Sequence, residues 1–414
     1  MVNDRSHEEL VGWLRLSAEP GLSRAVIRHL LKELGLPQHI LSASAAALSR
    51  HLPQDIVARL QAPASPEVQA VIDTALRLLA QPDHYLITLA DAAYPTALFD
   101  TGDPPVLLYV RGKPELLHQP AMAIVGARNA TEGGKDNARA FARHLAGRGW
   151  SVISGLARGI DAAAHEGALQ AGPTAGGTIA VLASGLDVIY PRQHGKLTED
   201  IAAHGALVTE YPPGTPAQPF RFPDRNRLVA GLARGILVVE AAVQSGSLLT
   251  ARLAGEYGRE VFAIPGSIHA PLSRGCHALI RQGAKLVEQG SDIEEELLRT
   301  GPVPQAVGQA QAPTFTSYEN RPPHAAQPFT NTTGNVQSTP PSQGRRPTSR
   351  ILKDPTVGRV LSALGYDPAD ADQLCRRSGL EFSRIAAILT ELELNDIVQR
   401  MDDGRYQRRQ QELL

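Results

Sequence analysis

Six short apolar runs recur between residues 121 and 264: Ala121-Met-Ala-Ile-Val125, Trp150-Ser-Val-Ile153, Thr178-Ile-Ala-Val-Leu182, Ala206-Leu-Val-Thr209, Ile236-Leu-Val-Val239 and Glu260-Val-Phe-Ala-Ile264. Stretches with helical apolar spacing separate them. Continuous apolar strands alternating with helices predict a parallel sheet covered on both faces. Two more runs, Tyr85-Leu-Ile-Thr-Leu89 and Val106-Leu-Leu-Tyr-Val110, predict strands added at an edge. Residues 81–300 therefore read as a doubly wound, Rossmann-like α/β core, whose ligands sit at the C-terminal ends of the strands.

The flanks have other patterns. Over residues 1–80, Val11-Gly-Trp-Leu14, Ala25-Val-Ile-Arg-His-Leu-Leu31 and Ile56-Val-Ala-Arg-Leu60 have helical spacing, broken by Pro and Gly. Glu19-Pro-Gly-Leu-Ser23 precedes one of these helices. It looks like half of a helix-hairpin-helix, where N–H groups meet a phosphate. Plain helix packing is the other reading, and it is favoured by equal numbers of basic and acidic residues, 8 of each. Residues 301–350 carry nine prolines and one acidic residue, which predicts a disordered linker. Residues 351–414 read as a winged helix-turn-helix. A short helix over 370–379 ends at a glycine cap, a second runs from Glu381 to Val398, and Arg400–Tyr406 form a hairpin with an Asp-Gly turn.

Composition narrows the classes. Hydrophobic residues make up 43% of the chain, enough for a sizeable core. There is no apolar run of membrane-spanning length, and Met1–Glu9 is polar, unlike a signal peptide. Two distant cysteines, Cys276 and Cys375, predict reduced thiols in a cytoplasmic protein. The net charge of −1 hides 17 Lys and Arg against 13 Asp and Glu over residues 121–290. A polyanion would thus be met by local clusters.

Those clusters fall at the strand ends. The first strand ends in Val125-Gly-Ala-Arg128, the second in Ser154-Gly-Leu-Ala-Arg-Gly-Ile-Asp161, the third in Ser184-Gly-Leu-Asp187 followed by Tyr190-Pro-Arg192. A later one ends in Glu240 and is followed by Ser245-Gly-Ser247. Glycine lets the backbone approach a ligand, and the helix N-termini beyond offer free N–H groups to an anion. Each loop alone is weak, but four at one sheet edge favour anion binding. Arg221-Phe-Pro-Asp-Arg-Asn-Arg227, with Phe220, fits backbone tracking plus base stacking. Equally, Arg225 and Arg227 could pair internally with Asp224 or Glu240. There is no G-x-G-x-x-G to open the sheet and no G-x-x-x-x-G-K-[ST], so neither a dinucleotide site nor a P-loop is indicated. Asp161, Asp187, Glu210 and Glu240 are candidate acids or bases. Asp161 as a helix cap, and the glutamates as arginine partners, are the competing readings. His165, His194 and His269 lack metal-ligand spacing, and no cofactor is called for.

These motifs, with Ala164-His165, Phe222-Pro-Asp-Arg-Asn-Arg227 and Ile264-Pro-Gly266, resemble in order the DNA processing protein A (DprA/Smf) family. The resemblance implies a SAM-like or helix-hairpin-helix-like N-terminal domain over 1–80, the Rossmann-like core, and a C-terminal winged helix over 351–414. It implies a cytoplasmic protein without enzymatic activity that binds incoming single-stranded DNA during natural transformation. It also implies help in loading the recombinase RecA and a homodimer formed through the core. The expected DNA-contacting set is Gly126, Arg128, Ser154, Gly155, Arg158, Arg192, Arg221, Arg225, Asn226, Arg227, Ser245, Gly246, Ser247 and Thr250. Arg192 stands where many members have lysine, His194 where Asn is usual, and Thr209 where Ser is usual.

Two other classes compete. A Rossmann-type nucleotide phosphoribohydrolase would carry Pro-Gly-Gly-x-Gly-Thr-x-x-Glu, but Glu240-Ala-Ala-Val-Gln-Ser-Gly-Ser247 lacks that series. A transcription regulator would read duplex DNA through the second winged-helix helix. That helix holds Glu381, Glu391, Glu393 and Asp396 against Arg384, although Arg405, Arg408 and Arg409 could touch phosphate.

Overall fold

The computed structural model describes residues 6–300, 354–395, 397–401 and 403–409, so the linker expected over 301–350 lies outside the described residues. Two compact units divide them, the first covering 6–300 with 365–367 and the second 354–364 and 368–409.

The first unit opens with six helices: α1 (His7–Ala18), α2 (Arg24–Leu34), α3 (Pro37–Ser42), α4 (Ala45–Leu48), α5 (Gln54–Gln61) and α6 (Pro66–Leu79). Strands β1 (His84–Thr88) and β2 (Leu107–Gly112) follow. Then strands and helices alternate: β3 (Ala121–Val125), α7 (Glu132–Gly147), β4 (Ser151–Ser154), α8 (Ile160–Gln170), β5 (Thr178–Val181), α9 (Gly195–His204) and β6 (Ala206–Thr209). After α10 (Arg221–Leu232) come β7 (Gly235–Val238), α11 (Gly246–Glu256), β8 (Glu260–Ala263), α12 (Arg274–Arg281), β9 (Lys285–Leu286) and α13 (Gly290–Thr300).

The nine strands form one sheet in the order β1-β2-β6-β5-β4-β3-β7-β8-β9. From β6 to β9 all neighbours are parallel, while β2 joins β6, and β1 joins β2, antiparallel. Along β3 and β7 the side chains alternate between two cores. Ala121, Ala123 and Val125 point into one cluster with Ile236, Val238 and the helical residues Leu228, Val229 and Ala251. Met122 and Ile124 point into the other, with Leu237, Phe141, Leu145 and Ala164. This double burial is why the strands read as unbroken apolar runs. A third cluster packs Leu14 of α1 and Val68, Ile72 and Ala75 of α6 against Leu86, Leu107, Tyr109 and Leu207 of β1, β2 and β6.

The crossovers run outward from β3 to β6. The chain then returns to lay β7 beside β3 and runs on to β9. That reversal opens a crevice beyond the C-terminal ends of β3 and β7, the topological switch point where open α/β sheets hold ligands. No helix among the described residues is long and apolar enough to cross a membrane.

The N-terminal loop that resembles a phosphate-binding hairpin is closed by its own ion pairs. The nearly buried Glu19 meets Arg15 at 3.2 Å and Arg59 at 3.0 Å, and Arg59 also donates to the Pro20 carbonyl at 2.9 Å.

The second unit holds α14 (Pro355–Leu364), α15 (Ala371–Ser378), α16 (Phe382–Leu394) and the hairpin β10 (Val398–Arg400) and β11 (Tyr406–Arg408). Asp370 and Gln373 form a capping box at the start of α15, and Gly379 ends it in the left-handed region at φ 65°. The second helix is shorter than expected, since Val398 leaves it to pair with Arg408 and fill the core. Sequence reading did not resolve α14, although Val357, Val360, Leu361 and Leu364 have helical spacing.

Candidate nucleic-acid interface

A cleft of about 500 Å³ occupies the switch point. Its floor is the end of β4. Leu156 sits in the left-handed region at φ 55°, which costs a branched residue energy and requires the surroundings to hold it. Asp161 supplies that hold by accepting from the N–H groups on either side, Gly155 at 3.1 Å and Ala157 at 3.4 Å. His194 Nδ1 lies 3.0 Å from the Leu156 carbonyl. Asp161 is thus a loop clamp, and the N-cap of α8 is Gly159. Burial pushes the Asp161 carboxyl up, against the pull of the Arg225 guanidinium.

Arg225 is itself 4% exposed and donates to the carbonyls of Gly155 and Val181, fastening the first turn of α10 to the ends of β4 and β5. A Cβ on Gly155 would run into that guanidinium, so glycine is required there by packing. On the opposite side, Glu240 beyond β7 accepts from the Thr131 N–H at 2.9 Å and hydroxyl at 2.6 Å, while Thr131 caps α7. The expected arginine partner of Glu240 is therefore a threonine. The β3 loop is fixed to β7, and the Ala127 N–H donates to the Glu240 carbonyl at 2.7 Å.

Three groups face the opening. Arg128 is exposed, lies over the Phe222 ring at 5.1 Å, and among the described residues meets no carboxylate at ion-pair distance. Phe222 in turn packs against Tyr190, which is 49% exposed, with ring centroids 5.5 Å apart. Across the cleft, α11 presents its N-terminus. Ser245 caps it by accepting from the Ser247 N–H at 3.2 Å, and the Thr250 hydroxyl donates to the Gly246 carbonyl at 3.2 Å. A Cβ on Gly246 would meet no protein atom within 4 Å.

Gly126, Arg128, Gly155, Arg225, Asn226, Ser245, Gly246, Ser247 and Thr250 line one cleft, drawn from four separate stretches of chain. The other expected residues lie elsewhere. Ser154 is buried, and its hydroxyl donates to the Ile124 carbonyl at 2.6 Å. Arg227 is buried on Glu210 and the Asp103 carbonyl. Arg221 stacks between Tyr211 and Phe220, 5.3 Å from each ring. Arg158 and Arg192 are exposed and outside the lining. Asn129, Pro219 and Leu272 also line the cleft, and no motif flagged them.

The family model described as DNA recombination-mediator protein A matches residues 85–298, just over half of the chain and all of this cleft. This chain belongs to that family. The model of the DprA winged helix domain matches residues 339–404. Among DprA/Smf relatives, Protein Smf of Synechocystis is 35% identical over 339 residues, 80% of this chain and 81% of that protein. Protein Smf of Escherichia coli K12 is 48% identical over 227 residues, which span 60% of its own length. The DNA processing protein DprA of Streptococcus pneumoniae is 46% identical over 209 residues, 50% of this chain and 73% of that protein. The X-ray structure of that DprA superposes with a TM-score of 0.59 at 36% identity, covering 69% of this chain and 95% of the other.

Proposed function

We propose that this protein binds single-stranded DNA in the switch-point cleft and performs no chemistry on it. The observation that carries this reading is Arg128, without a carboxylate partner among the described residues, stacked on Phe222 and facing the capped N-terminus of α11. A guanidinium and helix N–H groups fit phosphate oxygens. The exposed Tyr190 beside Phe222 offers a face to an unstacked base. The nearby carboxylates are already engaged: Asp161 by loop N–H groups, Glu240 by Thr131, Glu210 by Arg24 and Arg227, and Asp187 by the Gly214 N–H. That favours binding over acid–base hydrolysis.

On this reading the chain is a cytoplasmic recombination mediator that protects incoming DNA and helps load RecA during natural transformation. It works as a homodimer. Leu248, Leu253, Tyr257, Leu279 and Ile280, on or beside α11 and α12, are only partly buried against the core and form the face proposed to meet a second copy. Two copies would let one strand bridge two clefts.

The test is fluorescence anisotropy with labelled poly-dT and its duplex across salt. Each phosphate neutralised on a single strand should contribute about −0.7 to the slope of log K against log salt. Affinity that stays flat from low to moderate salt would refute the reading. So would release of free base from a nucleoside monophosphate, which would establish a phosphoribohydrolase.

A further inference from the structure

The first turn of α10 faces two ways. Phe222, Pro223, Arg225 and Asn226 line the cleft, while Asp224 between them meets the N-terminal helices. Arg24 opens α2, behind the Ser23 cap. Its guanidinium reaches three carboxylates: Asp224 at 2.9 and 3.1 Å, Glu210 at 3.0 Å and Asp103 at 3.0 Å. The Tyr211 hydroxyl donates to the same Asp224 carboxylate at 2.9 Å, and the Tyr211 ring carries the Arg221 guanidinium. Arg227 joins from one turn along α10, on Glu210 and 3.5 Å from Asp224. Burial opposes ionisation of Asp224, yet the Arg24 and Tyr211 hydrogen bonds hold its carboxyl below the ordinary aspartate range. No side chain caps the N-terminus of α10, which begins at Arg221 after Phe220, so this side-chain cluster, and not a cap, ties the start of the helix to the N-terminal helices.

We propose that Arg24 is a positioning residue for nucleic-acid binding: from the N-terminal helices it locks the first turn of α10 through Asp224 and so sets the Phe222 and Asn226 wall of the cleft. The inference rests on the single-strand reading above. A wall held in place before binding loses no freedom when the strand arrives, so loosening it costs affinity without removing any contact to the ligand.

The full-length chain tests this by poly-dT anisotropy on Arg24→Met, Asp224→Asn, the double variant and Leu48→Ala. Leu48 is fully buried on α4, a helix other than the one that carries Arg24, so Leu48→Ala destabilises the N-terminal helices without touching Asp224. R24M and D224N should each weaken binding by about five- to tenfold, and the double should be no weaker than the worse single, as expected for one coupled unit. The weakening by D224N is diagnostic, because removing a negative charge would by itself favour a polyanion. The salt slope should stay unchanged, since Arg24 touches no phosphate. L48A should bind within about twofold of wild type, as it leaves α2 and the Arg24 contacts in place.

R24M binding as tightly as wild type, while Arg128→Ala still binds about tenfold or more weakly, would overturn the positioning role and leave the single-strand reading intact. So would tighter binding by D224N, a slope reduced by one phosphate in R24M, or equal losses in L48A and R24M. Failure of the wild type to bind poly-dT would sink the single-strand reading, and this proposal with it.

Discussion

Replacing His165 by leucine should flatten the acid limb of the stability curve. The imidazole is fully buried, with Nδ1 2.7 Å from the Thr178 hydroxyl oxygen. That hydroxyl donates its own proton to the Val152 carbonyl at 2.7 Å, so Nδ1 must carry the hydrogen. Nε2 is left as a bare acceptor, buried and without a partner among the described residues. Burial, with His194 and Arg225 adding to it, pushes the His165 pKa down to about 3. In the unfolded chain the group titrates near the usual histidine value of about 6.5. Between those values the unfolded state takes up a proton that the native state refuses. The contribution is therefore complete above pH 6.5 and is lost as pH falls toward 3, at about 1.4 kcal/mol per unit. At pH 4.5 the loss from this one residue should be roughly 2.5–3 kcal/mol. Leucine suits the site because Thr178 keeps its donor bond and no buried N–H is orphaned. Urea unfolding followed by the fluorescence of Trp13 and Trp150, both buried, would be run on wild type and H165L at pH 7 and pH 4.5. The wild type should lose more stability over that interval by roughly that amount. Equal losses would refute the reasoning.

Two further predictions test the cleft and the core. Gly246→Val should leave the urea midpoint within experimental error, because a Cβ there meets no protein atom, yet it should weaken poly-dT binding at the α11 N-terminus. A fall in stability without a loss of binding would place Gly246 outside the interface. Burial pushes the Cys276 thiol up to about 12, so in the native protein a maleimide reagent should label Cys375 alone, and Cys276 should react only after unfolding. Rapid native labelling of both thiols would contradict that burial.

The fold was legible wherever local pattern and tertiary burial agree. The parallel strands stood out because both faces are covered, which leaves no polar position to blur the run. β9 was missed because its two residues, Lys285 and Leu286, are exposed at the sheet edge and carry no apolar signal. The winged-helix hairpin was legible through its turn. The end of α16 was not, because Ile397 and Val398 look like a continuing helix until the partner strand is known. In the site, the strand-end loops announced themselves as glycine-rich turns before helices. The division of labour among arginines did not. Whether Arg225 or Arg128 faces the ligand depends on carbonyls at Gly155 and Val181, which sequence cannot bring near. Arg24 was invisible for the same reason, since its partners Glu210 and Asp224 lie 186 and 200 residues away.

The central claim is that Arg128 meets a phosphate in the cleft, and poly-dT anisotropy on Arg128→Ala tests it most directly. The side chain is exposed and, among the described residues, forms no ion pair, so the variant should fold as the wild type does. Losing a charge-assisted contact of about 1.5–3 kcal/mol predicts binding weakened about tenfold or more. Binding indifferent to Arg128, in a variant with an unchanged urea midpoint, would mean that the cleft serves some other ligand.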